Sequence, residues 1–468
     1  MRHNWIMSST TMAPRHGYLA TGAPGPSPAG PPRTQPATVL TVIAAGALAA
    51  ILLWWHQTPS IHGLGDWLTN AGRLTGLLAG YGVVVLVALM ARLPPLERGV
   101  GADQLARWHA MGGRYTVCLV VTHALLITWG YAVTAHTGII SQANALLMSY
   151  PDVLMATVGA LLFVGVGISS ARAARRRLRY ETWYYLHFYT YLAIALAFSH
   201  QFAVGAQFMT SLPARVFWGG LYACVAAAIL WYRFVTPARQ AARHRMRVIS
   251  VRREAPGVVS VVIGGRHLQE LRAESGQFFR WRFLARGLWW VSSPYSLSAP
   301  PEPGRLRITV KALGEHSHSL ARLRPGTRVL AEGPYGALTS AMRSQRRVLL
   351  IAGGVGITPM RALFQTLPAR PGDLTLVYRA SEPGDVVFRD ELERLARARG
   401  ARLFFVVGRR ADLGQDPLSA ATLRARIPGL DQHDVYVCGP AGMTSAVIRE
   451  LRTAGVHRRH IHNESFEF

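Results

Sequence analysis

The stretch RYETWYYLHFYTYLAIALAFSHQF, residues 179–202, decides how this chain is organised. It is apolar and longer than the roughly 20 residues that a helix needs to cross a membrane. It nevertheless carries two histidines, His187 and His200. Polar side chains are costly in the hydrocarbon core of a bilayer, and where they occur they usually mark a functional site. Two of them in one segment predict that the membrane part of the protein binds a ligand.

Apolar segments of this length recur along the first half of the chain. By length they predict six membrane-spanning helices. They lie near residues 37–56, 71–92, 108–132, 152–171, 183–205 and 213–235. Arginines are concentrated after the second, fourth and sixth segments, which places those loops in the cytoplasm by the positive-inside rule. The sequence therefore predicts a multi-pass protein of the cell membrane, with its N-terminus and its C-terminal half in the cytoplasm.

The third segment carries a second pair of histidines, His109 and His123. In each pair the residues lie about 20 Å apart along a helix at 1.5 Å per residue. His109 and His187 then lie near the cytoplasmic side, and His123 and His200 near the outer side. A low-spin haem takes two axial imidazoles from opposite sides of its ring, so the pattern predicts two stacked b-type haems with these four histidines as iron ligands. Hydrogen-bonded packing or a proton pathway is the alternative for each histidine taken alone.

Helical periodicity speaks against one of these pairs. The spacing places His109 and His123 about 40° apart around the helix axis, but His187 and His200 about 140° apart. The fifth segment therefore needs a local irregularity, or its two histidines must approach their haems at different angles.

Composition excludes some classes of partner. The formal net charge is +27, from 51 Lys and Arg against 24 Asp and Glu. No basic segment has interleaved aromatics and no zinc-ligand or helix-turn-helix pattern is present, so we expect no nucleic-acid binding. The arginines favour membrane lipid headgroups and phosphorylated cofactors as partners. Three cysteines are too few and too far apart for a disulfide framework.

The character of the sequence changes along the chain and predicts a multidomain fold. Residues 1–36 are rich in Pro and Gly and are predicted to be a disordered tail, followed by the α-helical transmembrane haem-binding domain over residues 37–236. Short β-branched runs separated by Gly and Pro predict an antiparallel β-barrel that binds FAD over residues 245–340. Strands alternating with helices predict an α/β domain that binds NADPH over residues 345–468.

Two motifs predict the flavin site. VSSPYSLSAP, residues 291–300, places an aromatic beside hydroxyls at a strand end, where a flavin ring would find a flat face and a hydrogen-bond donor. In KALGEHSHSL, residues 311–320, a glycine permits a tight turn and Ser317 begins a predicted helix whose N-terminal amides would bind the FAD pyrophosphate. The predicted FAD-binding residues are Tyr295, Ser296, Leu297, Ser298, Lys311, Gly314 and Ser317.

The strongest local motif is IAGGVGITPMRAL, residues 351–363. A buried strand is followed by glycines that let the backbone approach a ligand, and then by Thr-Pro at the start of a helix with its positive end towards that ligand. A structural turn would explain the glycines alone, but this order of features favours nucleotide binding. The predicted residues are Gly353, Gly354, Gly356, Thr358 and Pro359.

Residues at later strand ends refine this prediction. Arg379 follows the next strand, where an acid would bind a ribose hydroxyl but an arginine suits a 2′-phosphate, so NADPH is favoured over NADH. Arg409 either adds to that site or is a surface arginine. In VYVCGPAGM, residues 435–443, Cys438, Gly439 and Pro440 end another strand, where the nicotinamide is expected.

Together these motifs, over about residues 70–468, resemble the ferric reductase and NADPH oxidase superfamily. The resemblance implies hydride transfer from NADPH to FAD and single-electron transfer through the two haems to an acceptor outside, either dioxygen or a ferric chelate. It implies catalytic roles for Cys438 and for a C-terminal aromatic that covers the flavin, Phe466 or else Phe468. It also implies that Arg73, an intramembrane charge in the second segment, lies near the outer haem.

A second hypothesis keeps the same cofactors but changes the acceptor. The outer loops are short and show no evident substrate pocket, as in residues 135–152. The chain could then pass electrons to a specific protein outside and have little activity alone. A haem sensor or transporter is disfavoured, because it would not need the nicotinamide module.

Overall fold

The computed structural model describes residues 5–7, 35–58, 60–175, 177–178, 180–205, 208, 211–409 and 416–464. The chain divides into two compact units. The helical unit contains Thr34–Leu96 and Gln104–Arg233, and the β-rich unit contains Met1–Arg33, Glu97–Asp103 and Phe234–Phe468.

Nine helices precede residue 231 in the described part of the chain. They are α1 (Pro36–Gln57), α2 (Gly63–Leu89), α3 (Pro94–Gly99), α4 (Ala102–Thr134), α5 (Ile139–Ser149), α6 (Val153–Ser170), α7 (Arg172–Arg175), α8 (Tyr180–Val204) and α9 (Leu212–Leu230). A π-helical turn, Trp231–Val235, and α10 (Thr236–His244) follow.

Five helices in the described residues are long and apolar enough to cross a membrane: α1, α2, α4, α6 and the helix from Leu212 to His244. The sixth predicted span corresponds to α8, which has 25 residues but is not among these five. Its length suffices for a span, but its tyrosines and two histidines make it less apolar than the others. The multi-pass prediction is confirmed, whereas six spans are not established by composition.

Small residues bring the helices of this unit close together, as is common in membrane bundles. A Cβ at Gly159 of α6 would lie 2.8 Å from the carbonyl oxygen of Ala193 in α8. A Cβ at Gly46 of α1 would lie 2.3 Å from the hydroxyl of Tyr81, which donates to the carbonyl of Ile43 at 2.8 Å. Substitution of either glycine would push two helices apart.

The β-rich unit begins with two antiparallel three-stranded sheets, ordered β2-β3-β6 and β5-β4-β7. The strands are β2 (Arg247–Ala255), β3 (Val258–Gly264), β4 (Phe278–Phe283), β5 (Ser293–Ser296), β6 (Arg305–Lys311) and β7 (Val329–Tyr335). Both sheets share one apolar core, and isolated bridges join them at Leu297 with Ile308 and at Arg247 with Arg328. A short helix, α11 (Glu315–Ser319), follows β6.

The last subdomain is a six-stranded sheet ordered β1-β10-β9-β8-β11-β12. Its strands are β1 (Trp5–Met7), β8 (Arg347–Gly353), β9 (Leu374–Ala380), β10 (Arg402–Val407), β11 (His433–Cys438) and β12 (Ile461–Asn463). All neighbours run parallel except β1, which is antiparallel to β10. Helices α12 (Ile357–Thr366), α13 (Arg389–Arg399), α14 (Ala420–Arg426) and α15 (Ala441–Thr453) accompany the sheet, which separates two buried apolar clusters.

Strand β1 comes from the segment predicted to be a disordered tail. Trp5–Met7 pairs with the β10 edge, while residues 8–34 lie outside the described residues. The alternating strands and helices therefore form the parallel sheet that the sequence predicts, and the carboxyl ends of β8, β9 and β11 meet along one edge of it.

Candidate functional site

The four intramembrane histidines lie in two facing pairs. The ring centres of His109 on α4 and His187 on α8 are 5.9 Å apart, and those of His123 and His200 are 6.3 Å apart. Because the earlier histidine of α4 faces the earlier histidine of α8, the two helices run in the same direction. Two parallel membrane helices need a helix of opposite direction between them in the chain. Helix α6 lies between α4 and α8 in the chain and packs against α8.

Both pairs form although α8 is a continuous helix from Tyr180 to Val204. The planes of the rings meet at 65° for His109 and His187 but at 43° for His123 and His200. The relative orientation of the two rings therefore differs between the pairs.

Helix α2 fixes the orientation of the α4 histidines. Nδ1 of His109 donates to the carbonyl of Leu86 at 3.1 Å, and Nδ1 of His123 donates to the carbonyl of Gly72 at 2.7 Å. On α8, Nδ1 of His200 donates to the carbonyl of Ala197. Since a carbonyl only accepts, these bonds place the ring proton on Nδ1 and leave Nε2 with a free lone pair. Three of the four imidazoles are thus prepared to bind a metal through Nε2.

The pairs fit haem iron. Two imidazoles that bind one metal ion from opposite sides, each with a metal–nitrogen bond of about 2 Å, have ring centres roughly 6 Å apart. Among the described residues no group of three His, Cys, Asp or Glu side chains is placed to hold a metal ion. Two histidines leave the other coordination positions of an iron ion open, and a haem would fill them.

Glycines of α2 complete the outer layer, and sequence reasoning missed them. A Cβ at Gly76 would lie 2.6 Å from Nδ1 of His123, so only glycine allows this approach. The glycine repeat at residues 72, 76 and 80 was the available signal, because small residues four apart often mark a helix contact. Arg73 lies between the two α2 residues that contact His123, and it makes no hydrogen bond or ion pair with a described residue.

In the flavin subdomain, Tyr295 and Ser296 end β5. Tyr295 is half-buried beside Ser293, and burial raises its pKa although a hydrogen bond with Ser293 opposes the shift. The hydroxyl of Ser296 is buried and has no hydrogen-bond partner among the described residues, so a ligand can take that bond.

Leu297 and Ser298 have structural contacts instead. Leu297 is fully buried in the core between the two sheets. The Ser298 hydroxyl accepts from Thr309 at 2.8 Å and from Arg307 at 3.2 Å. Both residues hold the segment that carries Tyr295 and Ser296 rather than facing a ligand themselves.

The turn after β6 differs in detail from the prediction. Helix α11 begins at Glu315, not at Ser317, and has only five residues. The Ser317 hydroxyl accepts the backbone N–H groups of Leu313 and Gly314 at 2.9 and 3.0 Å. The helix starts earlier because Ser317 caps it from its third residue, and these two amides are therefore already occupied.

A cavity of about 390 Å³ opens at the carboxyl edge of the parallel sheet. Its lining includes Gly353 and Gly354 after β8, Arg379 at the end of β9 and Pro440 after β11. Lys311, predicted in the flavin site, lies in this cavity and its Nζ is 3.3 Å from a carboxylate oxygen of Asp385. This placement is where parallel α/β sheets bind nucleotides.

The glycines of the two loops at this edge allow backbone to touch backbone. A Cβ at Gly356 would lie 2.3 Å from the carbonyl oxygen of Cys438, and one at Gly439 would lie 3.2 Å from the Cα of Gly353. Thr358 and Pro359 are buried in the first turn of α12, where the Thr358 hydroxyl donates to the Val355 carbonyl at 2.9 Å. Neither residue lines the cavity, but both lie at the start of the helix that follows Gly353 and Gly354.

The two arginines proposed for a 2′-phosphate lie in different surroundings. Arg379 lines the cavity and donates to the carbonyls of Ala380, Val406 and Gly408, and burial lowers its pKa. Arg409 pairs with Glu382 at 2.7 Å on the surface and does not line the cavity.

Cys438 ends β11 and is completely buried. Burial raises the pKa of its thiol well above the usual range, and the carboxylate of Glu464 acts in the same direction. Glu464 follows β12, and no local motif of the sequence indicates its effect on Cys438. Phe466 and Phe468 lie outside the described residues.

Comparison with known proteins assigns both halves of the chain. Residues 75–198 match the family described as a ferric reductase like transmembrane component, and residues 350–449 match an oxidoreductase NAD-binding domain. The ferredoxin–NADP reductase B of Sorangium cellulosum is 30% identical over 194 residues, covering 38% of this chain and 79% of that protein. The glycine betaine monooxygenase reductase subunit of Chromohalobacter salexigens is 32% identical over 191 residues, covering 38% of this chain and 51% of that protein.

The chain spans only about half the length of the Chromohalobacter reductase subunit and of several other curated relatives that it matches. Among solved structures, the flavohaem-like FAD/NAD-binding domain of nitric oxide dioxygenase from Vibrio cholerae is 27% identical. It covers 47% of this chain and 98% of that domain, with a TM-score of 0.41.

Fold and comparisons together define a class of protein in which a helical membrane component is followed by an FAD/NAD reductase-like module. Within that class, the chain belongs with the ferredoxin–NADP reductase-like oxidoreductases and carries a ferric reductase like transmembrane component before that module, the combination that its motifs predict.

Proposed function

We propose that this protein carries electrons across the cell membrane, from cytoplasmic NADPH through FAD and two stacked b-type haems to dioxygen or a ferric chelate outside. The observation that carries the proposal is the pairing of His109 with His187 and of His123 with His200 at ring-centre distances of 5.9 and 6.3 Å. Haem irons held by these two pairs of histidines would give electrons a path through the hydrocarbon core, which a purely structural role for the histidines would not require.

The chain's own residues would position the groups that react. When bound, FAD and haem would supply the conversion of a two-electron hydride donor into single-electron transfer. His109 and His123 are oriented by α2, Tyr295 and Ser296 offer a ring and a free hydroxyl to the flavin, and Gly356 lets the nucleotide loop close onto Cys438.

The parallel direction of α4 and α8 supports a sixth span. If both helices bind the same two haems, α8 must cross the membrane although it is less apolar than the other five. The arginines after the second, fourth and sixth segments support an orientation with the reductase module in the cytoplasm. The two joined sheets, β2-β3-β6 and β5-β4-β7, support a closed barrel for FAD.

Arg379 supports NADPH as the electron donor. It lies in the nucleotide cavity at the end of β9, where it can reach a 2′-phosphate. A relative from Mycobacterium tuberculosis, 29% identical over 246 residues, is an NADPH oxidoreductase, which agrees with this choice.

Spectra of purified protein in lipid test the haem assignment. His109→Ala and His123→Ala should each remove about half of the bound haem, because each breaks one pair. His136→Ala is the matched control, since His136 is exposed in the loop after α4. An unchanged low-spin haem spectrum in both pair variants would refute the proposal.

Turnover then identifies the acceptor. NADPH consumption in air that reports superoxide, and is suppressed by superoxide dismutase, would establish an oxidase. Turnover only with an added ferric chelate without air would establish a ferric reductase.

One observation favours a protein acceptor as the second candidate. Helix α5, in the loop predicted to lie outside, exposes large apolar side chains, with Ile140 88% and Met148 70% exposed. Exposed apolar patches often mark protein contacts. NADPH-driven haem reduction with no turnover on dioxygen or chelate would support this candidate, and rapid turnover by the purified protein would exclude it.

A further inference from the structure

A second cavity lies at the opposite edge of the parallel sheet from the nucleotide cavity. It has a volume of about 380 Å³. Arg347 is the first residue of β8 and Arg402 is the first residue of β10, whereas Gly353, at the other end of β8, lines the nucleotide cavity. The cavity is lined by Arg347, Pro371, Gly372, Asp373, Arg402 and Pro428. We call it the arginine cavity.

The two arginines of this cavity have unused donors. Arg347 and Arg402 are half-buried, and neither side chain makes a hydrogen bond or an ion pair with a described residue. Nε of Arg402 is buried with no partner. A buried donor of a charged group that makes no hydrogen bond is destabilising, so it usually has a partner in the working molecule.

The arginines also repel each other. Burial lowers the pKa of Arg402, and the neighbouring charge of Arg347 lowers it further. Arg347 and Arg402 lie at the starts of β8 and β10, the two strands on either side of β9. Two like charges placed in this way are unfavourable unless an anion lies between them. The cavity therefore has both the donors and the charge for a negative ligand.

A third group adjoins the pair. His433, the first residue of β11, is 1% exposed, and its Nε2 has no hydrogen-bond partner. Burial lowers its pKa most, the bond to Gly429 and the charge of Asp431 oppose this shift, and the charges of Arg347 and Arg402 lower the pKa further, so the three basic groups are close enough to repel. Its Nδ1 is bonded to the Gly429 carbonyl at 2.8 Å, which fixes the ring.

The one carboxylate in the lining does not neutralise this charge. Asp373 binds Nε of Arg346 at 2.9 Å outside the arginine pair. Arg346, Arg347 and Arg370 all lower the pKa of Asp373, the Arg346 hydrogen bond most of all, so three cations surround this single anion. An excess of positive charge remains beside Arg402.

We propose that the arginine cavity binds a phosphate-bearing anion, a phosphate monoester or a pyrophosphate group. The planar guanidinium matches the oxygens of such a group with two parallel hydrogen bonds, which a chloride ion or a carbonyl could not use. The ligand is either a soluble phosphate compound or the headgroup of an anionic lipid, since both present the same oxygens. Binding removes the repulsion at the starts of β8, β10 and β11, and so stabilises the sheet whose other edge holds the nucleotide.

The test uses the full chain in nanodiscs of phosphatidylcholine, with inorganic pyrophosphate as the probe. Saturating NADP⁺ is present throughout, so that the nucleotide cavity cannot bind the probe. We expect a saturable rise in the thermal unfolding temperature, as for any ligand of the folded state. Arg402→Gln and Arg347→Gln should each raise the half-saturating concentration of pyrophosphate about 10-fold to 100-fold. This is the usual effect of losing a charge-assisted contact.

Controls separate binding from damage and lipid from solute. Arg409→Gln, a surface arginine paired with Glu382, should leave the response unchanged. Without pyrophosphate, Arg402→Gln should unfold at the same or a higher temperature, because it removes an unpaired charge, whereas a purely structural arginine would lower it. Nanodiscs that also contain phosphatidic acid should give the Arg402-dependent stabilisation without pyrophosphate if a lipid is the ligand.

Two results would overturn the proposal. One is no pyrophosphate response in either type of nanodisc with NADP⁺ bound. The other is an equal response in the wild type, Arg347→Gln and Arg402→Gln.

Discussion

The close approach of α2 to His123 leads to a sharp prediction for Gly76→Ala. The added Cβ would lie 2.6 Å from Nδ1 and 2.8 Å from Cε1 of the imidazole. Atoms in ordinary contact prefer about 3.5 Å, so the ring or the helix must move by roughly 0.9 Å. The bond from Nδ1 to the Gly72 carbonyl is 2.7 Å long. A shift of that size would stretch it to about 3.6 Å, where it no longer counts as a hydrogen bond.

The loss should fall on one haem only. Removing the hydrogen bond that orients a histidine ligand typically weakens metal binding about 10-fold to 100-fold, or about 1.4–2.8 kcal/mol. We therefore expect weaker binding at the outer pair. The inner pair should keep its haem, because His109 depends on the Leu86 carbonyl farther along α2.

The loss of the outer haem is measured by the haem content per protein and by a reductive absorbance titration of the two haems. Gly113→Ala on α4 is the matched control, because a Cβ there meets nothing within 4 Å. The reasoning is refuted if Gly76→Ala binds both haems as tightly as the wild type, or if Gly113→Ala causes the same loss.

Three further predictions concern the reductase module. Gly356→Ala should destabilise the nucleotide subdomain by about 1–3 kcal/mol through the clash with the Cys438 carbonyl, and it should slow flavin reduction. Thermal unfolding and stopped-flow assays measure the two effects. Gly384→Ala, whose Cβ meets nothing within 4 Å, should cause neither. Arg379→Gln should lower the preference for NADPH over NADH about 10-fold or more; equal loss of both activities would contradict a 2′-phosphate contact. Burial acts to raise the pKa of Asp434, but hydrogen bonds from neighbouring groups outweigh it and hold the pKa below the usual range. Its stabilisation should therefore be complete above about pH 4 and be lost as the pH falls through the lower folded-state pKa. Asp434→Asn should cost about 2 kcal/mol at neutral pH and flatten that acid dependence, as measured by thermal unfolding against pH.

The sequence predicted the histidine pairs because spacing along a helix translates directly into depth in the membrane. It could not predict that α2 supplies the carbonyls of Gly72 and Leu86, because those contacts depend on how helices pack side by side. Periodicity alone made the α8 pair unfavourable, yet His187 and His200 each face a histidine of α4.

In the reductase module, local motifs predicted the strand ends that line the nucleotide cavity. The position of Lys311 in that cavity depends on contacts between subdomains, which no local pattern contains. The arginine cavity could not be predicted from local patterns either. Arg347, Arg402 and His433 are far apart in sequence and come together only because the strand order places β8, β10 and β11 in one parallel sheet.

The pairing of β1 with β10 has a consequence for how the protein is made. Met7 pairs with Phe404, so this strand leaves the ribosome roughly 400 residues before its partner exists. At about 5–20 residues per second, that delay is roughly 20–80 s, during which all the membrane helices are synthesised. The edge of the sheet can therefore close only after the rest of the chain is in place. The first few residues would then report the completion of folding, and a probe attached to Trp5 could follow maturation in cells.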